Sequence, residues 1–554
     1  MVDRQLELIV VSGIPGLDEM LDEVFITQFH QSQFIQWFEL QMVTVRVSRG
    51  TGDLTAAWEC APDQDTARVG YSRLIASRDS KAPVWPDTPP SDSDRLSYAD
   101  AEPTPYWLSG PRPAARPPLE GEAETDLVVV GGGLTGLWAA IQARQRDPGR
   151  AVILIERQHL AIGASGRNGG FMSSSLVHGI GNGLARFPDE IPLLERLGME
   201  NLDQIKRTIR ENGIECDLTS PGAIEIAYTP HQFAGLSEVL DELEQYGHEA
   251  ELLDAEAIRN EVESPLFQGG LWQKSGECQV DPVKLTDGLA DLAESLGVVI
   301  HEGTEMSNLA KSGAGVEIKT GRGSIKAARV LLATAAFHSP VRAIRRRVVP
   351  VFDYVLVSEP LSAARWETLG WNNRQGLSDS ANRFHYFRRT ADDRILWGGF
   401  DAIYHFGGRV EDTYYQRDQS FAGLAQRFFA AFPQLDGVRF SHRWGGAIDT
   451  CSRFFAFYGT AHDGRVAYAV GHTGLGVGAS RFSAGVGLDL LDGRESEVTG
   501  LDYTRTKPIP FPPEPIRWGA IQFTRNRLAA ADHNNGERGF WLNTLDRLGL
   551  GFDS

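Results

Sequence analysis

The chain is predicted to be an α/β protein built on a parallel sheet, from three places where a short apolar run ends in glycine or other small residues. Residues 126–130 run into a glycine-rich turn and an amphipathic stripe (Leu134, Leu137, Trp138, Ile141). A second strand follows at 151–155, giving β-α-β in about thirty residues. Residues 329–333 end in the small-residue run 333–336, and residues 467–470 end in a third glycine-rich turn before a helical segment near 483–491.

The remaining elements fall between these landmarks. Residues 1–95 show no clear period and are expected to be a poorly defined N-terminal extension. Residues 96–123, with prolines from Pro111 to Pro118, read as a Pro-rich linker. Helical periodicity predicts helices over 191–211, 233–246, 255–261 and 283–296, with strands at 223–227 and 298–300. Residues 345–445 are strand-rich, with alternation at 352–357 and 394–397, and the tail 496–554 carries helical segments after a Pro-rich opening. No internal repeat is visible.

Composition narrows the function classes. A formal net charge of −19 over 554 residues argues against a broad nucleic-acid footprint and is read as solubility. The four cysteines, Cys60, Cys216, Cys278 and Cys451, are widely spaced with no metal-ligand pattern, so no metal is expected and a reducing compartment is implied. The N-terminus lacks a basic n-region, and no uncharged apolar run approaches the ~20 residues of a membrane span. The expected location is cytoplasmic.

The first glycine turn carries the chemistry. Gly131, Gly133 and Gly136, with Leu134 and Thr135 between, form G-x-G-x-x-G after a strand and at the start of a helix, and Glu156 ends the next strand. Gly131 permits the turn, Gly133 lets backbone approach a pyrophosphate, and Gly136 lets helix pack on sheet. The helix start offers N–H groups to phosphate, and Glu156 offers acceptors to ribose hydroxyls. A second run of small residues, 163–171, follows closely, where a plain NAD domain would continue into its next unit. Gly163, Gly169 and Gly170 suggest backbone lying against an extended cofactor, with Ser165 and Asn168 as hydrogen-bonding groups and Arg167 offsetting charge. The third turn, 471–478, follows a strand and can face the electron-rich edge of a flavin. Together these favour FAD.

The segment 124–175, residues 277–282, 333–336, RILWGG at 394–399 and 471–478 resemble the FAD-dependent amino-acid and amine oxidoreductases of the D-amino-acid oxidase superfamily. Within it, the GASGRNGG run and layout look nearest to the gamma-glutamylputrescine oxidoreductases. The likeness covers about residues 105–500. It implies a Rossmann-like, ββα-layered FAD-binding domain made of discontinuous segments (124–183, 278–345 and 446–495). It also implies an α+β substrate domain (184–277 and 346–445) with a large mixed or antiparallel sheet. By position, Glu156, Arg157 and Met306 would serve the adenosine end. Residues Ser165 to Phe171, with Thr334, Ala335 and Gly446, would line the cofactor. Gly471, His472, Gly474, Leu475 and Gly476 would lie at the flavin pyrimidine edge. Cys451 falls a few residues from the position where some relatives attach FAD covalently, so non-covalent FAD is expected.

The implied reaction is hydride transfer from a small amine or amino acid to flavin N5, giving an imine. The alternatives are oxidation of a hydroxy acid or other C–O substrate, and FAD-dependent electron carriage or assembly without a small-molecule substrate. The acceptor is dioxygen, a quinone or a partner protein. His472 is either a group facing flavin or substrate, or a backbone-bonded histidine. Tyr386, Arg388 and Trp397 would lie on the substrate wall, with Arg388 either clamping a carboxylate or forming a surface ion pair. Arg443 and Trp444 are read as packing residues.

Overall fold

The computed structural model describes residues 85–550 other than 87 and 535, and the backbone of 44–50 and 53–59. Thr44–Gly50 and Asp53–Glu59 pair as an antiparallel hairpin within a unit of residues 1–80. The rest of the expected extension up to residue 84 lies outside the described residues. Residues 81–554 form the second unit, which carries both large sheets.

In the first sheet, Val299–His301, Val152–Ile155, Gly121–Val130, Gly323–Leu332 and Val466–Val470 run parallel in that order. Strand alternation divides the apolar run at 127–130 between two cores. Leu127 and Val129 join the cluster under the helices Leu134–Arg146, Pro282–Ser295 and Gly476–Asp492. Val128 and Val130 join Leu309, Val316 and Ile318 on the opposite face. Those last residues belong to the antiparallel strands Asn308–Ser312 and Gly315–Lys319.

The second sheet is mixed. Its order is Phe440–Thr450, Val349–Ser358, Ile395–Ile403, His385–Arg389, Gly376–Asp379, Ala223–Ala227, Gly269–Gln273 and Ala250–Leu253. One pair, Gly376–Asp379 with Ala223–Ala227, is parallel and the others are antiparallel. Ile224, Ile226, Phe352, Tyr354, Phe387 and Trp397 bury themselves on one face against Phe421 and Phe428 of the helix Asp418–Ala431. Period-2 alternation therefore sends Glu225, Asp353, Tyr386 and Arg388 to the other face. Trp397, read from sequence as substrate wall, lies instead in the core on the far side of the sheet.

The segment 96–123 is packed, unlike the linker expected from its prolines. Tyr98 and Ala101 are core residues, and the Trp107 indole N–H donates to the Asn168 carbonyl at 2.8 Å. Arg112 pairs with Asp287, and Arg116 with Glu294. Proline enforces extended backbone but leaves the intervening aromatic and arginine side chains free to anchor it. In the tail, Ile516–His533 and Phe540–Arg547 are helices. No helix of the described residues is long and apolar enough to cross a membrane.

Candidate active site

The first and third glycine turns follow the parallel strands Gly121–Val130 and Val466–Val470, which flank Gly323–Leu332, and the second turn lies against the first. Gly131 has φ +115°, and a Cβ there would collide with the Ala333 carbonyl oxygen. Only glycine allows this crossing between the first turn and the end of Gly323–Leu332. A Cβ at Gly136 would strike the Gly131 carbonyl, so the helix starts hard against the turn. Helix Leu134–Arg146 has no capping side chain of its own at Gly133. Ser165 Oγ accepts from the Leu134 N–H at 3.0 Å, which brings the second turn onto the first. A Cβ at Gly133 would lie 2.7 Å from the same hydroxyl.

Glu156 accepts from the Gly132 and Gln158 N–H groups at 2.8 and 3.0 Å, one on each oxygen. Burial raises its pKa, and the two donated hydrogen bonds oppose that rise. Both oxygens keep further acceptor capacity. The backbone just beyond it, with Arg116, His159 and Glu302, lines a cavity of about 480 Å³. Arg157 sits 4.5 Å over the Phe337 ring, and Met306 packs half-buried beside the cluster containing Val130 and Ile155.

The second turn is braced from within. Asn168 Nδ2 donates to the Ala164 and Ser165 carbonyls, and its Oδ1 accepts from Gly170 N–H at 2.8 Å. Arg167, expected to offset cofactor charge, instead donates to the Ile162 and Gly445 carbonyls and stacks 3.8 Å from the Tyr415 ring centroid. It ties the turn to strand Phe440–Thr450, where Gly446 leaves room for its Cβ. Trp444 donates to the Arg167 carbonyl at 3.0 Å, and Arg443 lies over the Tyr98 and Phe421 rings. Both are packing residues.

The third turn is organised by Asp449, which sequence reading missed. Its Oδ2 accepts from the Gly471 and His472 N–H groups and lies 3.4 Å from His472 Nδ1. Among the described residues, His472 Nε2 is buried without a hydrogen-bond partner, as is Thr334 Oγ1. Helix Gly476–Asp492 begins against the Ser173 carbonyl, where a Cβ at Gly478 would collide. Cys451 is sealed, its thiol directed at the Phe455 carbonyl at 3.1 Å and pushed up in pKa by burial.

A cavity of about 290 Å³ opens beside these turns, lined by Ser173 to Ser175 after the second and Leu475 of the third. His178, Glu195, Glu225, His248, Glu277 and Asp379 complete its polar wall. Burial lowers His178 to about 4, so its ring is neutral at pH 7. None of these was singled out from the sequence. Of the predicted catalytic residues, none lines this cavity. His472 comes nearest, its carbonyl accepting from the Leu475 N–H at 3.1 Å, while Tyr386 is reached through Phe384, whose ring is 6.4 Å away. The Tyr386 ring fills the space a side chain would need at Gly169 and Gly398, and meets Phe171 edge-on at 5.9 Å. Arg388 neither clamps a free carboxylate nor pairs at the surface. It is buried, and Nη1 donates to the Gly170 and Val280 carbonyls at 3.0 and 2.9 Å.

These features fit FAD. Amides of the first helical turn, the glycine cradle against Ser165, Glu156 at the next strand end, and the orphaned Thr334 and His472 atoms supply donors and acceptors at several points along an extended ligand.

Comparisons with known proteins follow the same geometry. The family model for DAO, FAD dependent oxidoreductase, matches residues 126–487. Gamma-glutamylputrescine oxidoreductase of Escherichia coli (strain K12) is 30% identical over 392 residues, covering 70% of this chain and 88% of that protein. A probable oxidoreductase, OrdL, of Haemophilus influenzae is 27% identical over 395 residues, covering 69% and 86%. Among solved structures, glycine oxidase from Geobacillus kaustophilus has a TM-score of 0.58 at 20% identity, covering 70% of this chain and 100% of its own. Iminodiacetate oxidase from Chelativorans sp. BNC1 has a TM-score of 0.55 at 19% identity, covering 69% and 100%. Both structural likenesses bear on the fold.

Proposed function

The chain belongs to the DAO family of FAD dependent oxidoreductases, and from that premise we propose that it oxidises a small amine or amino acid at a carbon–nitrogen bond, giving an imine that water hydrolyses. The observation that carries this reading is the contact of the first glycine turn with the second at Leu134 and Ser165, with an acidic, hydroxyl-lined cavity opening past the second turn at Ser173 to Ser175 and reaching Leu475 of the third. Gly131, Gly133 and Gly136, with the Thr135 amide, would hold the pyrophosphate, the Leu134 amide being held by Ser165 Oγ. Glu156, Arg157 and Met306 would serve the adenosine end. Ser165, Gly169, Gly170 and Phe171 would flank the flavin with Thr334, Ala335 and Gly446, and the turn from Gly471 to Gly476 would face its pyrimidine edge. The sealed Cys451 supports non-covalent attachment. When bound, FAD supplies the acceptor for a hydride at N5.

The chain's own groups position the substrate. The parallel sheet carries the cofactor, and the acid-bearing face of the mixed sheet forms the substrate wall. A neutral His178 beside the cavity does not repel a cationic amine. The gamma-glutamylputrescine activity in the name of one relative supports nitrogen rather than oxygen at the reacting carbon. Anaerobic titration of the yellow holoprotein with amines, D-amino acids and hydroxy acids tests the reading. Amines or amino acids are expected to bleach the flavin. Bleaching by hydroxy acids alone, or by none of the panel, overturns it.

A further inference from the structure

We infer that the 290 Å³ cavity is a subsite for a second cationic group on the substrate, an organic ammonium held by Glu225 and Glu277 while another amine of the same molecule reacts. The inference rests on the amine-oxidising reading above and names the substrate class, amines carrying a second basic nitrogen.

The wall of the cavity carries four carboxylates, from Glu195, Glu225, Glu277 and Asp379, and no Lys or Arg. Two of them are already engaged. Glu195 meets His248 Nε2 at 2.9 Å, and Asp379 accepts from His385 Nδ1 and N–H at 2.8 and 2.9 Å. Neither of the other two pairs with Lys or Arg among the described residues, although the charge of His248 also acts on Glu277. Glu277 is held by the Ser173 hydroxyl. Glu225 has no hydrogen-bond or ion-pair partner among them and lies partly buried on the cavity wall beside Asp379.

The sequence explains why an unpaired acid stays there. Glu225 occupies the middle of the strand Ala223–Ala227, between Ile224 and Ile226, which face the opposite core. Alternation forces its side chain toward the cavity, where Ser378 of the next strand lies opposite it. A partly buried carboxylate with no Lys or Arg beside it is costly, and desolvation raises both Glu225 and Glu277 to about 7. A ligand cation would remove that cost for both. An organic ammonium, with several N–H donors and one positive charge, matches a wall of carboxylates and hydroxyls without Lys or Arg. Hydroxyls of Ser173 to Ser175 and Ser378 add acceptors for ammonium N–H groups.

The test uses the full-length FAD-loaded protein and a series of α,ω-diamines of three to six carbons, each paired with the n-alkylamine of equal length. The ratio of diamine to monoamine kcat/KM should exceed tenfold at one or more chain lengths. Glu225→Gln and Glu277→Gln, near-isosteric changes checked for retained flavin absorbance, should each lower that ratio at least tenfold. Calorimetry of the same pairs gives a readout independent of turnover, with diamine binding releasing protons in the wild type and losing both affinity and proton release in the variants. If no amine bleaches the flavin but diamines bind in this way, the oxidase reading fails and the cation subsite stands. Equal affinity for diamines and monoamines, or a ratio and affinity unchanged in both variants, overturns the subsite.

Discussion

Tyr386 Oη donates to Asp353 Oδ2 at 2.7 Å, reaching from His385–Arg389 to Val349–Ser358 across the intervening strand Ile395–Ile403. It can do so because Gly398 pairs with both Tyr386 and Val355 and has no side chain beneath the ring. Burial raises Asp353 to about 6, and Tyr386 is foremost among the donors that hold it down. The carboxylate is therefore charged at pH 7.5 and depends on this hydroxyl.

Tyr386→Phe should destabilise the protein by about 1–3 kcal/mol at pH 7.5, the cost of leaving a buried acceptor short of a donor. The loss should shrink at pH 5, where Asp353 is protonated in the folded state. Denaturant unfolding at the two pH values measures this. A loss independent of pH would show that the ring, and not its hydrogen bond, supplies the stability.

The glycine cradle makes a sharper prediction. Gly136→Ala places a methyl against the Gly131 carbonyl and should yield soluble protein without bound flavin, or no folded protein. Ser165→Ala is milder. It removes the acceptor for Leu134 N–H and should cost ~1 kcal/mol of stability, the value of a helix cap, with about tenfold weaker FAD retention. Flavin absorbance after extended dialysis reads both.

The cavity acids set a pH dependence. Glu225 and Glu277 rise from 4.5 to about 7 on folding, so between those values the folded chain binds more protons than the unfolded one. Stability from these groups is present below about 4.5 and is lost as pH rises to about 7. Desolvation drives both up, Asp379 adding to it at Glu225, while Ser173 and then His248 oppose the rise at Glu277. His178, lowered to about 4, slopes the other way between 4 and 6.5 and partly masks the effect. Comparison of the Glu225→Gln/Glu277→Gln double variant with wild type cancels that contribution. The variant should gain stability relative to wild type by a few kcal/mol, on the order of the summed shifts, as pH goes from 5 to 8. Parallel curves of melting temperature against pH would refute it.

Local pattern made much of this fold legible. Residues 191–211, 223–227 and 255–261 form the expected elements to the residue, because their periodicity is uninterrupted and caps or turns bound them. Helix Gly476–Asp492 was seen only from residue 483, since glycines at 476, 478, 485 and 487 dilute the apolar stripe while fitting the helix closely to its neighbours. The first half of Gly323–Leu332 and its two partner strands went unread because polar residues alternate there on a half-covered surface. At the site, the turns announced themselves through glycine spacing. The acids did not, because Glu225 and Glu277 come to one cavity, Asp353 to Tyr386 and Asp449 to the third turn only through long-range pairing. A glutamate flanked by isoleucines in AIEIA is the one local signal that pointed to an occupied second face.

Arg388 separates a reading from sequence and one from structure most cleanly. A clamp for a substrate carboxylate would have its guanidinium open to the cavity. Here the group is buried, Nη1 joins the Gly170 and Val280 carbonyls, and the plane lies 5.7 Å from the Trp107 ring centroid. Desolvation lowers its pKa to about 10, so it stays charged at neutral pH. Gly170, at φ +77° with no room for a side chain, thus owes part of its position to this arginine. Arg388→Met should cost about 1–3 kcal/mol for the carbonyls it strands and should weaken flavin retention. The relative kcat/KM for carboxylate-bearing and carboxylate-free amines should change by less than threefold in the protein that keeps flavin. A selective loss of amino-acid turnover at undiminished thermal stability would restore the clamp and remove the bracing role.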